Sequence, residues 1–172
     1  MLDAGKQHIT EKIMKLAEKP SNYGKRFSGL SKNGFIFHTT SREENRQTQN
    51  SGVQNVFEGD NINYYGRIKD IIELNYDGTF KVILFKCDWY DVHHHAGMKQ
   101  NDIGFTSLNF SRLIHTGEKY MDDPFVFSSQ VVQVFYVQDG KKDDWYVPVR
   151  VRPRDLFDMG REEDEDEDDS DM

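Results

Sequence analysis

A histidine run beside a cysteine and two aspartates forms the densest set of potential metal ligands in the sequence. The set comprises Cys87, Asp88, Asp91, His93, His94 and His95. Imidazole and thiolate groups are typical zinc ligands. However, three consecutive histidines cannot all face one ion, and adjacent strand residues such as Cys87 and Asp88 point to opposite faces. We therefore predict no metal site and interpret Cys87 as a small buried apolar side chain.

Several residues have side chains of the types that catalysis requires. Four carboxylates have the residue type that a two-metal nuclease requires. They are Asp70, Glu73, Asp88 and Asp91. Such a fold needs helices packed on a sheet, and helical periodicity is nearly absent after Pro20. Nothing in the sequence places Cys87 next to His38 or His115 as a nucleophile pair. We predict that the chain is not an enzyme and has no cofactor, with a metal-dependent nuclease as the least favoured alternative.

Four aromatic residues lie near the ends of a predicted hairpin. They are Tyr64, Tyr65, Trp89 and Tyr90. An aromatic cluster at the mouth of a small barrel can form a cage for a methylated lysine, as in barrels of the bromo-adjacent-homology and Tudor types. Ordinary core packing is the alternative explanation for these side chains.

A polar segment from Thr40 to Gln54 supplies a second candidate contact surface. Its side chains of the kind that contact phosphates, base edges or a partner protein are Arg42, Arg46, Gln47, Gln49 and Asn50. Glu43 and Glu44 interrupt any basic patch here. The alternative is a hydrogen-bonded loop that caps the domain.

Charge is distributed unevenly along the chain. The net charge is −8, and residues 161–172 hold nine acids and one base, which leaves 21 acids and 21 bases in residues 1–160. The acidic run from Glu162 to Met172 predicts a disordered tail that could engage histones or mask a basic surface. Because the body is neutral, any contact with DNA would need a local basic patch.

The elements that would position these residues are mainly strands. Ile9, Ile13, Leu16 and Ala17 fall at helical spacing before Pro20, which predicts one short helix. Residues 21–33 are typical of a loop or an extended arm that packs only at Phe27 and Leu30. Residues 34–39 could form a first strand, and residues 40–54 are predicted to be a long loop.

The regular β pattern begins at Ile62. Residues 62–74 and 80–89 predict a hairpin around a turn at residues 75–79, and residues 90–100 a polar loop. Further strands are predicted at residues 103–115, 126–137 and 145–151. Pro148 lacks an N–H, so the last strand should lie at a sheet edge or beside a bulge.

These elements favour a mainly β fold, a small SH3-like barrel with a short N-terminal helix. We expect residues 1–33 to be helix and linker, residues 34–160 the barrel domain and residues 161–172 the tail. One cysteine and no apolar run long enough for a membrane span or a secretory signal favour an intracellular protein. The oligomeric state is left open.

Long stretches of the sequence resemble a known plant family. They are NGFIFHTTSREENRQTQNSGV from Asn33, YYGRIKDIIELNYDGTFKVILFKCDWYDV from Tyr64, GFTSLNFSRLIHTGEKYMDDPFVFSSQVVQVFYVQD from Gly104 and DWYVPVRVRPRDLFDMG from Asp144. Together they resemble the family called domain of unknown function 4216, over most of the chain from about Leu16 to Gly160.

The resemblance implies a genomic context rather than a mechanism. Members of this family look like the C-terminal part of transposase proteins of CACTA (En/Spm-like) transposons, and no site residues carry over. It implies a nuclear, non-catalytic accessory domain that binds chromatin, DNA or a transposase protein. A structural or oligomerisation remnant of a decayed transposase is the alternative.

Overall fold

A computed structural model of the chain describes residues 13–14, 17, 19–21, 23–56, 61–76, 78, 80–140 and 144–154. Ile13, Met14 and Ala17 have helical backbone, whereas Ile9 and Leu16 of the predicted helix lie outside the described residues. The predicted acidic tail also lies outside them. No helix in the described part is long and apolar enough to cross a membrane.

The fold is mainly β, as predicted, and its large sheet curls into a half-barrel. The elements in chain order are β1 (Gly24–Phe27), β2 (Gly29–Lys32), β3 (Phe35–His38), α1 (Thr40–Glu43), β4 (Gly52–Val56), β5 (Asn63–Tyr76), β6 (Phe80–Tyr90), β7 (Met98–Gln100), β8 (Thr106–Asn109), β9 (Leu113–Ile114), β10 (Phe125–Phe127), a 3-10 helix (Ser128–Gln130), β11 (Val131–Gln138) and β12 (Trp145–Arg150). The finer assignment to an SH3-like barrel stays a prediction.

Ten strands form the large sheet, in the order β10-β6-β5-β4-β11-β12-β8-β7, with β1 also paired to β5 and β9 to β6. All of its pairings are antiparallel. Strands β2 and β3 form a separate two-stranded sheet.

The predicted hairpin is confirmed as β5 and β6. Its register shifts between Ile68 and Asp70, which is a β-bulge. The extra residue explains why Ile68 and Ile71, three positions apart, are both buried in one core cluster. At the turn, Gly78 has a φ of +72°, a conformation that glycine adopts without strain, and Asp77 lies outside the described residues.

Two predictions for the first third of the chain are wrong. The predicted arm contains β1, which pairs with Ile71–Leu74 of β5, and β2, which pairs with β3. The predicted long loop contains α1, and its last three residues belong to β4. Within this segment Glu43, Ser51 and Gln54 are buried, because hydrogen bonds, some of them to distant parts of the chain, satisfy their polar groups.

The later elements are more finely divided than the sequence predicts. The predicted strand at residues 103–115 is two strands, β8 and β9, and the one at residues 126–137 is β10 and β11 separated by a 3-10 helix. The predicted loop at residues 90–100 ends in β7. β12 is confirmed, and it pairs with β11 as a hairpin whose turn includes Gly140 with a φ of +61°.

Strand β12 is neither an edge strand of the sheet nor bulged in its pairing with β11, contrary to the prediction from Pro148. Strand β12 sits between β11 and β8, but β8 pairs only with Trp145 and Tyr146. Pro148 is opposite Tyr136 of β11. The missing N–H therefore falls where β12 has no neighbour on the β8 side among the described residues.

Two clusters of buried apolar side chains form the core. The first consists of Phe37, Val53, Ile68, Ile71, Phe85, Cys87, Trp89, Val126 and Val131. The second consists of Tyr65, Tyr90, Val92, Leu108, Val134 and Tyr136. Adjacent residues Trp89 and Tyr90 belong to different clusters because successive side chains of a strand point to opposite faces. Strand β6 thus contributes to both clusters.

Candidate functional site

A cavity of about 520 Å³ opens between the polar segment and the curled sheet. Its lining side chains come from α1 and the following loop, from the central hairpin, and from the region of β8, β11 and β12. They are Thr40, Glu43, Glu44, Arg46, Thr48, Gln49, Arg67, Lys69, Asp88, Tyr90, Phe110, Leu113, Tyr136 and Tyr146. The volume falls within the range of small-molecule or side-chain binding clefts.

Stacked aromatic rings line one side of the cavity. The ring of Phe110 lies between those of Tyr90, at 4.2 Å between centroids, and Tyr146, at 4.1 Å. The rings of Tyr136 and Phe110 are nearly perpendicular, with 4.9 Å between their centroids. Each such pair contributes about 0.5–1.5 kcal/mol beyond the burial of apolar area. The aromatic side of the cavity is therefore a rigid platform.

A buried carboxylate organises the opposite side. Glu43 accepts hydrogen bonds from the backbone N–H of Asn50 and from Ser51 Oγ, the latter at 2.7 Å. Arg67 Nη2 lies 3.9 Å from Glu43 Oε2, and Arg67 Nε donates to Ser51 Oγ at 3.4 Å. Because these groups satisfy the carboxylate, α1 can pack close to β5 although its sequence is polar.

The backbone of β11 anchors the end of the loop. Gln49 Oε1 accepts the N–H of Tyr136 at 3.1 Å, and Gln49 Nε2 donates to the carbonyl of the same residue at 3.2 Å. A second glutamine, Gln133, donates from Nε2 to the carbonyls of Ile36, at 2.6 Å, and Asn50, at 3.3 Å. The Gln49 amide thus replaces the partner strand that β11 lacks beyond the end of its pairing with β4, and the Gln133 amide ties β11 to the backbone of Ile36 and Asn50.

The charged groups around the cavity largely neutralise one another. Arg67 lies beside Glu43, and Lys69 Nζ is 3.6 Å from Asp88 Oδ2. The remaining two, Glu44 and Arg46, are exposed and of opposite sign. The cavity therefore presents no net charge to a ligand.

Burial shifts the ionisation of two tyrosines in this region. Desolvation raises the pKa of Tyr90, an effect that the nearby Arg67 partly opposes. Desolvation also raises the pKa of Tyr136 well above its ordinary value, and the hydroxyl of that residue donates to the carbonyl of Gly66 at 2.7 Å. Both hydroxyls therefore keep their protons at neutral pH.

The structure does not bring the four predicted cage aromatics together around one opening. Trp89 lies in the first core cluster, where its Nε1 donates to the carbonyl of Pro124 at 3.2 Å. Tyr65 and Tyr90 lie in the second cluster, and only Tyr90 lines the cavity. The hydroxyl of Tyr64 is 3.1 Å from His93 Nε2 at an exposed position.

Of the five polar residues predicted to contact a partner, some lie at the cavity or on the surface and others make contacts within the domain. Arg46 and Gln49 line the cavity, and Gln47 is exposed. The other two make contacts within the domain: Arg42 Nη1 donates to Ser28 Oγ at 3.3 Å, and Asn50 Nδ2 lies 3.3 Å from His38 Nδ1.

The residues considered for metal binding or catalysis lie apart. Cys87 is fully buried, and desolvation raises the pKa of its thiol. The four candidate carboxylates, Asp70, Glu73, Asp88 and Asp91, contact four different basic residues, namely Arg26, Lys81, Lys69 and Arg112. Within the described ranges, no group of three or more His, Cys, Asp or Glu side chains is arranged to hold a metal ion.

Several cavity residues were not singled out in the sequence. They are Arg67, Phe110, Tyr136 and Tyr146. Alternation in the β11–β12 hairpin would have placed Tyr136 and Tyr146 on one face. No local signal places Phe110, because its position depends on the pairing of β8 with β12.

A comparison with known protein families finds a match to part of the chain. The model of the family described as Domain of unknown function (DUF4216) matches residues 72–148. The matched segment runs from the middle of β5 through β6 to Pro148 of β12, and it supports the resemblance to that family. Neither a curated protein nor a solved structure shows a significant match to the chain.

Proposed function

We propose that this chain, which matches the DUF4216 family over residues 72–148, is a non-catalytic accessory domain that binds a chromatin or other protein partner in the cavity. The observation that carries the proposal is the open, charge-neutral cavity of about 520 Å³ with a stacked aromatic side. Tyrosine-rich, preorganised surfaces supply large contact area at low conformational cost.

The character of the cavity favours a protein segment over nucleic acid as its ligand. Arg67 and Lys69 are each close to a carboxylate, so neither offers an uncompensated charge to a phosphate. Exposed Glu44 and Arg46 offer one contact of each sign. An apolar or basic side chain, inserted from a chromatin protein or a transposase, would contact the aromatic rings. Glu44 would pair with the charge of a basic side chain.

The biological setting belongs to the same proposal. The quoted strings resemble proteins of plant CACTA transposons, and this resemblance supports a transposase-associated, nuclear role. The antiparallel, strongly curled sheet agrees in general character with an SH3-like barrel, the architecture we propose for the domain.

The test uses the full chain and a variant that blocks the cavity without removing a core contact. Thr48→Trp places a large ring at the exposed, cavity-lining end of the loop, and Asn45→Trp places the same ring on the same loop outside the cavity. NMR titration with histone-tail peptides, unmethylated and lysine-trimethylated, should shift resonances of Tyr146 and Phe110. Binding should be lost in the Thr48 variant only. Equal binding by both variants, or no saturable binding by the unmodified chain, would contradict the proposal.

An exposed apolar face favours the second candidate, an oligomerisation domain. Phe135 lies directly opposite Val149, and Val137 opposite Val147, on one face of the β11–β12 hairpin. Phe135 is 37% exposed and Val137 47%. If this face joins two copies, light scattering should show a concentration-dependent dimer that Phe135→Lys abolishes. A monomer at all concentrations would remove this candidate.

A further inference from the structure

Three arginines occupy alternate positions from the last residue of β12 onward. The arginine row consists of Arg150, Arg152 and Arg154, and all three residues are exposed. We propose that the arginine row binds the phosphate backbone of a nucleic acid, at a site distinct from the cavity. The proposal does not rest on the function proposed for the cavity.

The backbone beneath the row is held in place. Val151 N donates to the carbonyl of Gln133 at 2.9 Å, and Arg154 N donates to the carbonyl of Gly34 at 2.8 Å. Pro153 disfavours helical backbone at Arg152, so the chain stays extended beyond β12. Alternate residues of an extended chain lie on the same side, about 6.7 Å apart. Neighbouring guanidinium groups of the row can therefore contact different phosphates rather than compete for one.

The row has no acidic partner among the residues that the structure describes. Arg26, Arg67 and Arg112 each lie within 4.0 Å of a carboxylate. Arg150 instead donates from Nε to Gln54 Oε1 at 2.8 Å, which orients its guanidinium group, and its terminal nitrogens make no hydrogen bond to a described residue. None of the row's side chains makes an ion pair with any residue that the structure describes. Within the described ranges, therefore, no carboxylate neutralises the positive charge of the row.

A fourth cation lies near the end of the row. The turn after Lys32 packs against the chain at Pro153 and Arg154, since an added Cβ on Gly34 would lie 2.7 Å from the carbonyl oxygen of Arg154. Lys32 Nζ donates to Ser128 Oγ at 2.7 Å, which holds the ammonium group near this end of the domain. The row and Lys32 together form the local basic patch that an electrically neutral body needs in order to bind a polyanion.

Nucleic acid fits the row better than an acidic protein segment does. The three arginines occupy alternate positions along a backbone that is anchored at Val151 and Arg154, and a nucleic-acid strand presents regularly spaced charges. Arginine also forms bidentate hydrogen bonds with phosphate oxygens. An acidic protein segment is the competing outcome of the test, because carboxylates accept the same bonds.

The experiment is fluorescence anisotropy with the full chain, titrated into a labelled single-stranded oligonucleotide and its duplex at low salt. Combined replacement of the row (Arg150→Gln, Arg152→Gln, Arg154→Gln) should weaken binding at least tenfold. It should also reduce the slope of log K against log salt by about 2 to 3, because each phosphate contact contributes about 0.7–0.9. The matched control, Arg26→Gln with Lys81→Gln and Arg112→Gln, removes the same charge from cations that already have acidic partners.

The outcomes separate the possibilities. The proposal is supported if the row variant loses oligonucleotide binding while the control variant and Thr48→Trp retain it. Retention in Thr48→Trp also shows that this binding does not depend on the cavity. Equal loss in row variant and control, or absence of binding to both oligonucleotides, overturns it. Polyglutamate that binds the row more tightly than either oligonucleotide also overturns it and assigns the row to an acidic protein segment.

Discussion

The side-chain amide of Gln49 forms two hydrogen bonds with the backbone of Tyr136, one to its N–H at 3.1 Å and one to its carbonyl at 3.2 Å. A glutamine side chain therefore makes the contacts with β11 that a neighbouring strand would make. The loop between α1 and β4 is fixed to the sheet at this point, and one side of the cavity is fixed with it.

Gln49→Ala should lower the free energy of unfolding by about 1 kcal/mol, because water replaces both hydrogen bonds only partly. Urea denaturation measures the change. Gln47→Ala, two residues away and exposed, is the matched control and should change stability by less than about 0.5 kcal/mol. Equal losses for the two variants would show that the amide pairing contributes nothing specific.

Glu43→Gln should destabilise the domain by about 2 kcal/mol, since hydrogen bonds to a buried charged acceptor are worth more than neutral ones. The variant loses the charge that accepts from Asn50 and Ser51 and faces Arg67. Glu44→Gln, the exposed neighbour, removes the same charge without these contacts. Thermal unfolding of both variants is the measurement, and an unchanged midpoint for Glu43→Gln would refute the role of this carboxylate.

Gly52→Ala should destabilise the domain by about 2 kcal/mol through steric overlap between β4 and β11. An added Cβ would collide with the carbonyl oxygen of Val134 and lie 2.8 Å from Tyr136 Cε2. Gly24→Ala is a suitable control, because its Cβ would approach no heavy atom closer than 3.3 Å. A comparable stability for the two variants would mean that β4 shifts at little cost.

Stability should fall as the pH rises above about 8.5, the ordinary pKa of cysteine, and more steeply above about 10, that of tyrosine, because burial also raises the pKa of the Cys87 thiol. Burial raises the pKa of Tyr65, Tyr90 and Tyr136 in the folded state. The folded chain therefore keeps protons that the unfolded chain releases, and the stabilisation present below these pH values is lost as the pH climbs toward the folded values. Denaturant melts at a series of alkaline pH values test this expectation, and a stability independent of pH in that range would contradict it.

Local patterns were sufficient for the elements whose partners are close in sequence. The alternation in β5, the apolar run in β6 and the turn at Gly78 identified the first hairpin, and the alternation in β12 identified that strand. The bulge between Ile68 and Asp70 interrupts the alternation in β5, since Asp70 falls at an apolar position and Ile71 at a polar one, but a bulge is defined only by the pairing of the strands.

The polar segment could not be predicted by the same reasoning. Its lack of apolar residues argued against burial, yet Glu43, Ser51 and Gln54 are buried. Their hydrogen-bond partners include Arg67 and Arg150, which are distant in sequence. The cavity was missed for a related reason, since Phe110 meets Tyr90 and Tyr146 only after the sheet has curled.

Pro148 has a consequence for how the protein behaves at high concentration. Beyond Tyr146, the outer side of β12 is open among the described strands, and an open strand invites a second chain to add to it and start aggregation. Pro148 has no backbone N–H to donate to an added strand, so the row of hydrogen bonds between the two strands is interrupted there. Replacing this residue by valine would complete the row of donors, and the protein would then be more prone to form amyloid-like assemblies.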